Sequence, residues 1–530
     1  MGLDCAIKIK EKKHMARYAL GLDSSTQSLT ALMIDVDSRK VSYEKSLNFD
    51  EALPQYGTKS GTLPSDDPNL VHSPPLMWVE ALDLLMSEAK ADGWPLGDVE
   101  IIAGSGQQHG TVYLDEKAPT ILSSLNSEND LASQLSKCIS RETSPIWMDS
   151  STEEDCGALT EAIGGAEALY ASTGSSAYER FSGPQIRRFS RLNPADYKKT
   201  DHIRLVSSFM ASILAGKLVP TDHGDASGMN LLDLPSLKWN QKALEVCGED
   251  LGKKLDEAVP SSTIVGDLSS YFVEKFGFST TVKVMAWSGD NPNSQVGLGL
   301  IEDGDCALSM GTSDVLFATL KNLPSKAGGE GHIFCTPTGD FMSLLCFANG
   351  SLAREAMRDA YGLDWKGFDD AIASRPVGNE GAMLLPWFQP EIVPKVLKAG
   401  VLRQGMEEAD VAANCRAVVE GQLLSRRIHA ESLGIRPRVL KVTGGASKNR
   451  QIVRIAADVF GCPVQEIEVA ASAALGAALR GLHLLVGGDL GEVVAPFVEV
   501  TKTTEPIDEN VKVYREMTEA YQAFEKAHLN

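Results

Sequence analysis

The stretch WSGDNPNSQVGLG at residues 287–299 joins two kinds of local structure through one tight turn. Upstream, the apolar run Val282-Lys-Val284-Met285-Ala286-Trp287 has the length and composition of a buried strand. Ser288-Gly289 stops it and delivers a lone carboxylate, Asp290, followed by Asn291 and Pro292. Ser294, Val296, Gly297 and Leu298 then read as the start of a helix. A strand ending in a glycine turn presents the next side chain to the crevice beyond the strand tips, where open α/β sheets bind ligands. An acid held there, partly shielded from water and beside an amide, is placed to take a proton from a hydroxyl. The competing reading is an ordinary helix N-cap, a position that Asp and Asn both favour.

The same strand-then-turn pattern recurs. Residues 17–22 (RYALGL) read as a strand, Asp23-Ser24-Ser25-Thr26-Gln27-Ser28 as a polar turn, and residues 29–36 (LTALMIDV) as the returning strand of a hairpin. Residues 99–103 form a strand entering GSGQQHG (104–110), and residues 306–318 (CALSMGTSDVLFA) read again as strand–turn–strand. Residues 439–442 lead into TGGASKN (443–449), then a helix at 450–460 and a strand at 463–466. Helices are expected at 75–92, 152–165, from 184, and at 205–214, 410–433 and 470–485; the last carries small residues in a row, a face suited to close packing. Residues 145–149 read as a short strand with Asp149 at its tip, and 115–143 as irregular. Residues 19–25 align with 307–313 at an offset of 288, about half the chain. Two related α/β halves follow from this, not a solenoid, whose repeats are far shorter.

At 530 residues the chain is too long for one core. Its 43% apolar and 23% charged content is that of a globular enzyme, which excludes a disordered chain. A formal net charge of -21 leaves no basic surplus to neutralise nucleic-acid phosphates. Nine cysteines are scattered without a C-x-x-C pair or a Cys/His cluster, so neither zinc nor a disulfide framework is indicated. Reduced thiols and a cytoplasmic location are expected. Residues 1–13 lack the apolar core of a signal peptide and read as an extension before Met15. The most apolar run, 470–486, carries Arg480 and His483, so no membrane span is expected.

The two hairpin turns are rich in hydroxyls and backbone N–H groups, the donors that hold phosphates. The first offers Thr26 and the carboxylate of Asp23; the second has Gly311 at the equivalent place, followed by Thr312. One carboxylate plus phosphate oxygens is how proteins usually hold magnesium. No G-x-x-x-x-G-K-[ST] run occurs, which excludes a P-loop enzyme. The turn at Gly444-Gly445-Ala446-Ser447-Lys448-Asn449 lies between strand and helix, where backbone amides approach a nucleotide closely, although a plain turn has the same appearance.

In chain order, DSSTQS (23–28), GQQHG (106–110), AYERFSG (177–183), SGDN (288–291), MGTSD (310–314) and GGASKN (444–449) resemble the motifs of the FGGY carbohydrate kinases, members of the actin/hexokinase/chaperone ATPase superfold. The resemblance covers nearly the whole chain. It implies an α/β fold of two domains, 15–298 and 299–530, with duplicated ribonuclease-H-like cores and a cleft for ATP and Mg²⁺. It implies Asp290 as catalytic base, with Gln108, His109, Arg180, Asp290 and Asn291 contacting the sugar, and Asp23 as the magnesium-side acid. Thr26, Gly311 and Thr312 fall in the phosphate turns, Gly445, Ala446 and Asn449 in the adenosine motif, and Trp365 of YGLDWKGF beside adenine. The DSSTQS form of the first turn resembles members acting on D-xylulose, so transfer to its terminal hydroxyl is expected. A kinase for ribulose or glycerol is the alternative, and an actin- or chaperone-like ATPase the rival from another class. The implied partners are the sugar and ATP, with no nucleic acid and no membrane, and a homodimer is compatible with the resemblance. Ser25 stands where a glycine is commoner in the family. Structural readings compete at several positions: His109 as a satisfied core histidine, Arg180 paired with Glu179 or Asp196, and Trp365 in the core with Tyr361 and Phe368. Asp225 of HGDASG is the rival base, and its polar turn assigns it a hinge or turn role.

Overall fold

Each hairpin read from the sequence nucleates a mixed sheet. The computed structural model describes residues 16–324 and 330–529; the N-terminal extension, Cys5 and Met15 lie outside the described residues. The first sheet contains β1 (Tyr18–Ser24), β2 (Ser28–Asp35), β3 (Lys40–Asn48), β4 (Val99–Gly106), β5 (Ile264–Asp267), β6 (Lys283–Met285) and β7 (Ser288–Gly289). Its order is β5-β6-β4-β1-β2-β3, with β7 pairing alongside β4. The second contains β8 (Cys306–Met310), β9 (Asp314–Leu320), β10 (His332–Cys335), β11 (Phe341–Phe347), β12 (Leu440–Thr443), β13 (Val464–Glu468) and β14 (Glu499–Thr504), in the order β10-β11-β9-β8-β12-β13-β14. In both, the hairpin is antiparallel and its first strand runs parallel to an inner neighbour, β1 to β4 and β8 to β12. The spatial order and directions of β3-β2-β1-β4-β6-β5 therefore recur as β11-β9-β8-β12-β13-β14. The second sheet adds one edge strand, β10.

On one face of the first sheet, α1 (Pro75–Ala91) and α2 (Val206–Ala215) bury Trp78, Leu82 and Phe209 against Leu20, Leu22 and Ile102. Burying such side chains contributes about 1.5–3 kcal/mol each. The second sheet carries α4 (Val411–Ser432), α5 (Arg450–Phe460) and α7 (Asp508–His528). The other face of the first sheet is covered from the opposite half of the chain, by α6 (Ser472–Val486), whose Ala474, Ala477 and Ala478 pack on Ala19, Ile101 and Ala103. Its small residues serve this contact. α6 also crosses α3 (Asp290–Gly297) backbone to backbone: a Cβ at Gly476 would strike Asn293 O, and one at Gly297 would strike Ser472 O. Arg480 of α6 locks the crossing by donating to Asn293 Oδ1 at 2.9 Å and Ala286 O at 2.8 Å. The helix that begins with Asp290 is thus held by the second half of the chain.

Two expectations are corrected. Only Ser144–Pro145 is a strand in the 145–149 region, and Asp149 is buried, where its carboxylate accepts from Val71 N at 2.9 Å and Gln185 Nε2 at 2.7 Å. Loop tethering needed an acid there. The 115–143 region, read as irregular, contains the short helices Ala118–Ser123 and Leu131–Leu135, too brief for a periodic signal. Among the described residues no helix is long and apolar enough to cross a membrane.

Candidate active site

Asp290 is the first residue of α3, and the N-cap is Gly289, so the capping reading is replaced. The carboxylate therefore lies one residue inside the cap position. Its Oδ1 accepts from its neighbour's backbone, Asn291 N, at 2.8 Å, from Asn291 Nδ2 at 3.2 Å and from Gln108 N at 3.4 Å. Asn291 Nδ2 also donates to Gln108 Oε1 at 2.8 Å, which joins the turns after β4 and β7. A Cβ at Gly289 would come within 2.5 Å of Gln108 Cγ, so glycine is what lets these turns meet.

Asp23 stands at the tip of β1 opposite Ser105, and its Oδ1 is buried with no hydrogen-bond partner. Burial pushes the Asp290 carboxyl up to about 7, the charge of Asp23 adds to the rise, and the N–H groups of Asn291 and Gln108 oppose it. Burial likewise pushes Asp23 up to about 6 against the pull of the Ser105 hydroxyl. No cationic side chain is paired with either acid among the described residues. Together they line a cavity of about 340 Å³ with Asn291, Ser294, Val469, Ala471, Ser472 and Ala473.

This cavity is the end of a series. A second, of about 370 Å³, is lined by Gly444, Gly445, Ser447 and Lys448 and shares Val469 with the first. A third, of about 420 Å³, contains Trp365, Asp369, Arg354, Ala446 and Asn449 and shares Gly445 and Lys448 with the second. Gly444 has φ +90, and a Cβ there would lie 2.6 Å from Met310 O, whereas a Cβ at Gly445 would meet nothing. The first glycine makes the turn and the second borders the open space. Trp365 is 43% exposed, stands edge-on to Phe368 at 5.7 Å and carries the Arg358 guanidinium over its ring, so it is a wall of the cavity and not core. Asn449 caps α5 by accepting from Gln451 N at 2.9 Å and Ile452 N at 3.1 Å, and its Nδ2 donates to Asp369.

His109 is buried with φ +72, in the left-handed region that few residues other than glycine adopt. Burial, helped by the charge of Arg180, brings its pKa down to about 3, so the ring is neutral. Its Nδ1–H donates to Gly228 O at 2.7 Å, which leaves Nε2 as a hydrogen-bond acceptor. Arg180 pairs with neither Glu179 nor Asp196; its Nη2 donates to His332 Nε2 at 2.7 Å, across to the second sheet. Thr26 Oγ1 accepts from Trp147 Nε1 at 2.8 Å. Ser25 closes its own turn, its N and Oγ both donating to Ser28 O at 2.9 Å, so no glycine is required there. Gly311 and Thr312 sit in a turn at the surface; they, Thr26, His109 and Arg180 are not among the residues lining these three cavities. Asp225 is fully buried and receives the Ser207 hydroxyl at 2.5 Å; burial raises it well above an ordinary carboxylate, and the charges of Asp222 and Asp290 add to the rise.

Sequence reasoning missed His332 and the partners of Asp314. Asp314, the acid of MGTSD, is buried between Arg354 at 3.3 Å and Arg426 at 3.2 Å. The motif exposed Asp314, but the arginines lie 40 and 112 residues away. No local signal marks His332.

An unpaired carboxylate with a buried free oxygen suits a hard divalent cation. No group of three or more potential metal-binding side chains collects among the described residues, so a cation beside Asp23 would complete its shell with phosphate oxygens and water.

Comparison with known proteins gives two domain matches: the FGGY family of carbohydrate kinases, N-terminal domain, over residues 18–297, and its C-terminal domain over 306–485. A xylulose kinase of Mus musculus is 43% identical over 529 residues, covering 97% of this chain and 95% of that one. Xylulose kinase 2 of Arabidopsis thaliana is 40% identical, covering 88% and 86%. The crystal structure of xylulose kinase from Rhodospirillum rubrum superposes with a TM-score of 0.80 at 20% identity, covering 96% of this chain and 99% of that one, a likeness of fold.

Proposed function

This chain belongs to the FGGY family of carbohydrate kinases and is an ATP-dependent sugar kinase, and on that premise we propose that it phosphorylates the terminal hydroxyl of D-xylulose to give D-xylulose 5-phosphate. The observation that carries the mechanism is the run of three neighbouring cavities, each sharing wall residues with the next, from Trp365 to Asp290. Adenine lies against Trp365, and the ribose passes Ala446 and Asn449. The phosphates extend past Gly445 toward the turns holding Thr26 and Asp23 in the first domain and Gly311 and Thr312 in the second. We take the domains as 15–298 and 299–530. The free cysteines of the described residues accord with a cytoplasmic location.

Asp290 accepts the proton of the sugar hydroxyl as that oxygen takes the γ-phosphoryl group in line, and the bond from the γ-phosphorus to the β,γ-bridging oxygen breaks to release ADP. A base poised near neutrality suits this task, and general-base catalysis contributes about 10²–10⁴-fold. Asp23 would hold Mg²⁺ through its free Oδ1. When bound, Mg²⁺ supplies charge neutralisation of the phosphates. Asn291 and Gln108 fix the Asp290 carboxylate, so the base is oriented before the sugar arrives.

Sugar recognition follows from donor and acceptor roles. Arg180 donates to the ketose carbonyl, His109 Nε2 accepts from a hydroxyl, and Asn291 meets the reacting end. A polyol lacking the carbonyl leaves one donor of Arg180 unpaired beside the sugar, and an unpaired polar group shut away from water costs about 1–3 kcal/mol. A coupled assay across pentuloses and polyols tests the assignment. D-xylulose should be the best acceptor, D-ribulose poorer, and glycerol and xylitol nearly inert. Glycerol outrunning every pentulose would refute the xylulose reading while leaving the family intact.

A further inference from the structure

Arg180 comes to the sugar site from the loop ahead of the helix Ser182–Leu192, a poor place to hold a long cation steady unless something else fixes it. That something is His332, the first residue of β10, the edge strand that the second sheet has and the first lacks. The ring is restrained on several sides. Its Nδ1 bonds Ser175 Oγ at 3.2 Å, Phe334 stacks on it at 5.5 Å, and Tyr178 meets it edge-on at 4.6 Å. Arg180 in turn lies over the rings of Tyr178 and Phe181, at 5.0 and 5.7 Å. The rest of β10 binds the neighbouring first-domain segments: Ile333 N–H donates to Gly174 O at 2.8 Å and Cys335 N–H to Ser227 Oγ at 3.0 Å. Burial, with the charge of Arg180 beside it, holds His332 well below its ordinary pKa, so Nε2 keeps the lone pair that receives the guanidinium.

We propose that His332 is a positioning residue for the sugar, supplied by the second domain, which fixes the Arg180 guanidinium and makes sugar affinity depend on the seating of β10 against the 174–181 loop. The proposal rests on the reading of Arg180 as a sugar contact. One hydrogen-bonded side chain thereby ties the pentulose site to the sheet whose turns border the nucleotide cavities.

Steady-state kinetics on the full chain test it, with D-xylulose varied at saturating MgATP. His332→Phe keeps a ring but removes the acceptor. It should raise KM for D-xylulose about tenfold, the scale of one lost charge-assisted hydrogen bond, with kcat and KM for ATP within about twofold of wild type. His332→Gln, whose Oε1 accepts, should restore most of the affinity. If His332→Phe does not fold, His332→Asn, too short to reach the guanidinium, should give the same rise. Arg180→Met should raise KM by at least as much, and adding the His332 change to it should have no further effect. An unchanged KM in the His332 variants while Arg180→Met raises it overturns the proposal. So does a rise of equal factor in the Arg180→Met background. If Arg180→Met itself leaves KM unmoved, the sugar-contact reading fails first, and the proposal with it.

Discussion

The turn at 23–28 and the turn at 311–313 occupy equivalent places in two sheets of the same strand order, yet each treats its carboxylate differently. Asp23 lies at the cleft with one oxygen buried and unpartnered, no cation beside it, and a pKa pushed up to about 6. Asp314, just past the second turn, is buried between Arg354 and Arg426, and Arg426 also donates to Asn349 O at 2.9 Å. One acid is left with its charge unanswered by the protein; the other is answered twice. The first arrangement costs stability and leaves room for an external cation. The second holds its turn in shape and leaves no charge on Asp314 for a cation to answer. The chain has two similar hairpins, and charge compensation separates the acid left open to a cation from the acid that braces its turn.

The largest effect should come from the compensated acid. Asp314→Ala leaves two buried guanidiniums without their anion, and breaking a buried pair from one side costs about 3–5 kcal/mol. Thermal unfolding should show a much lower Tm; a variant as stable as wild type would mean that the arginines find other partners and the contrast is false.

Asp23→Asn should act in the opposite sense on stability. A carboxyl raised above its unfolded value stabilises the fold only while protonated, and that contribution is lost as pH rises through about 6. Above that pH the amide should therefore unfold later than the acid, while turnover falls and the Mg²⁺ concentration needed for half-maximal rate rises. Activity indifferent to divalent metal in both proteins would remove Asp23 from its role.

A smaller change sharpens the same comparison from the nucleotide side. Gly445→Val places a branched side chain in the space shared by two cavities, and KM for ATP should rise about tenfold with little change in Tm, as expected where nothing opposes the new atoms. A collapse in stability would show that Gly445 serves packing and not the nucleotide.

Much of this was legible in the sequence because it is local. The helix at 450–460 stands as expected, and the two hairpins and the small-residue face at 473–478 follow from periodicity and composition alone. Asp290 was legible as an acid after a glycine turn, though its place inside the helix depends on Gly289 taking the cap position. What the sequence could not reveal is the partner chosen across the fold. α6 packs on β1 and β4, strands more than 350 residues earlier, Arg180 pairs with a histidine 152 residues away, and Arg426 answers Asp314 from 112. Such pairings have no period and no spacing; they come from topology, which brings β10 against the first domain and α6 under β1.

Asp290, its pKa brought near neutrality by burial and by Asp23, is assigned as the base that activates the sugar hydroxyl. Turnover of Asp290→Asn with D-xylulose at saturating MgATP, with ATP affinity measured on the same preparation, tests it most directly. The substitution is nearly isosteric and removes only the ability to take a proton. A fall in kcat of about 10²–10⁴-fold with unchanged ATP affinity is the predicted result, and turnover close to wild type would contradict it.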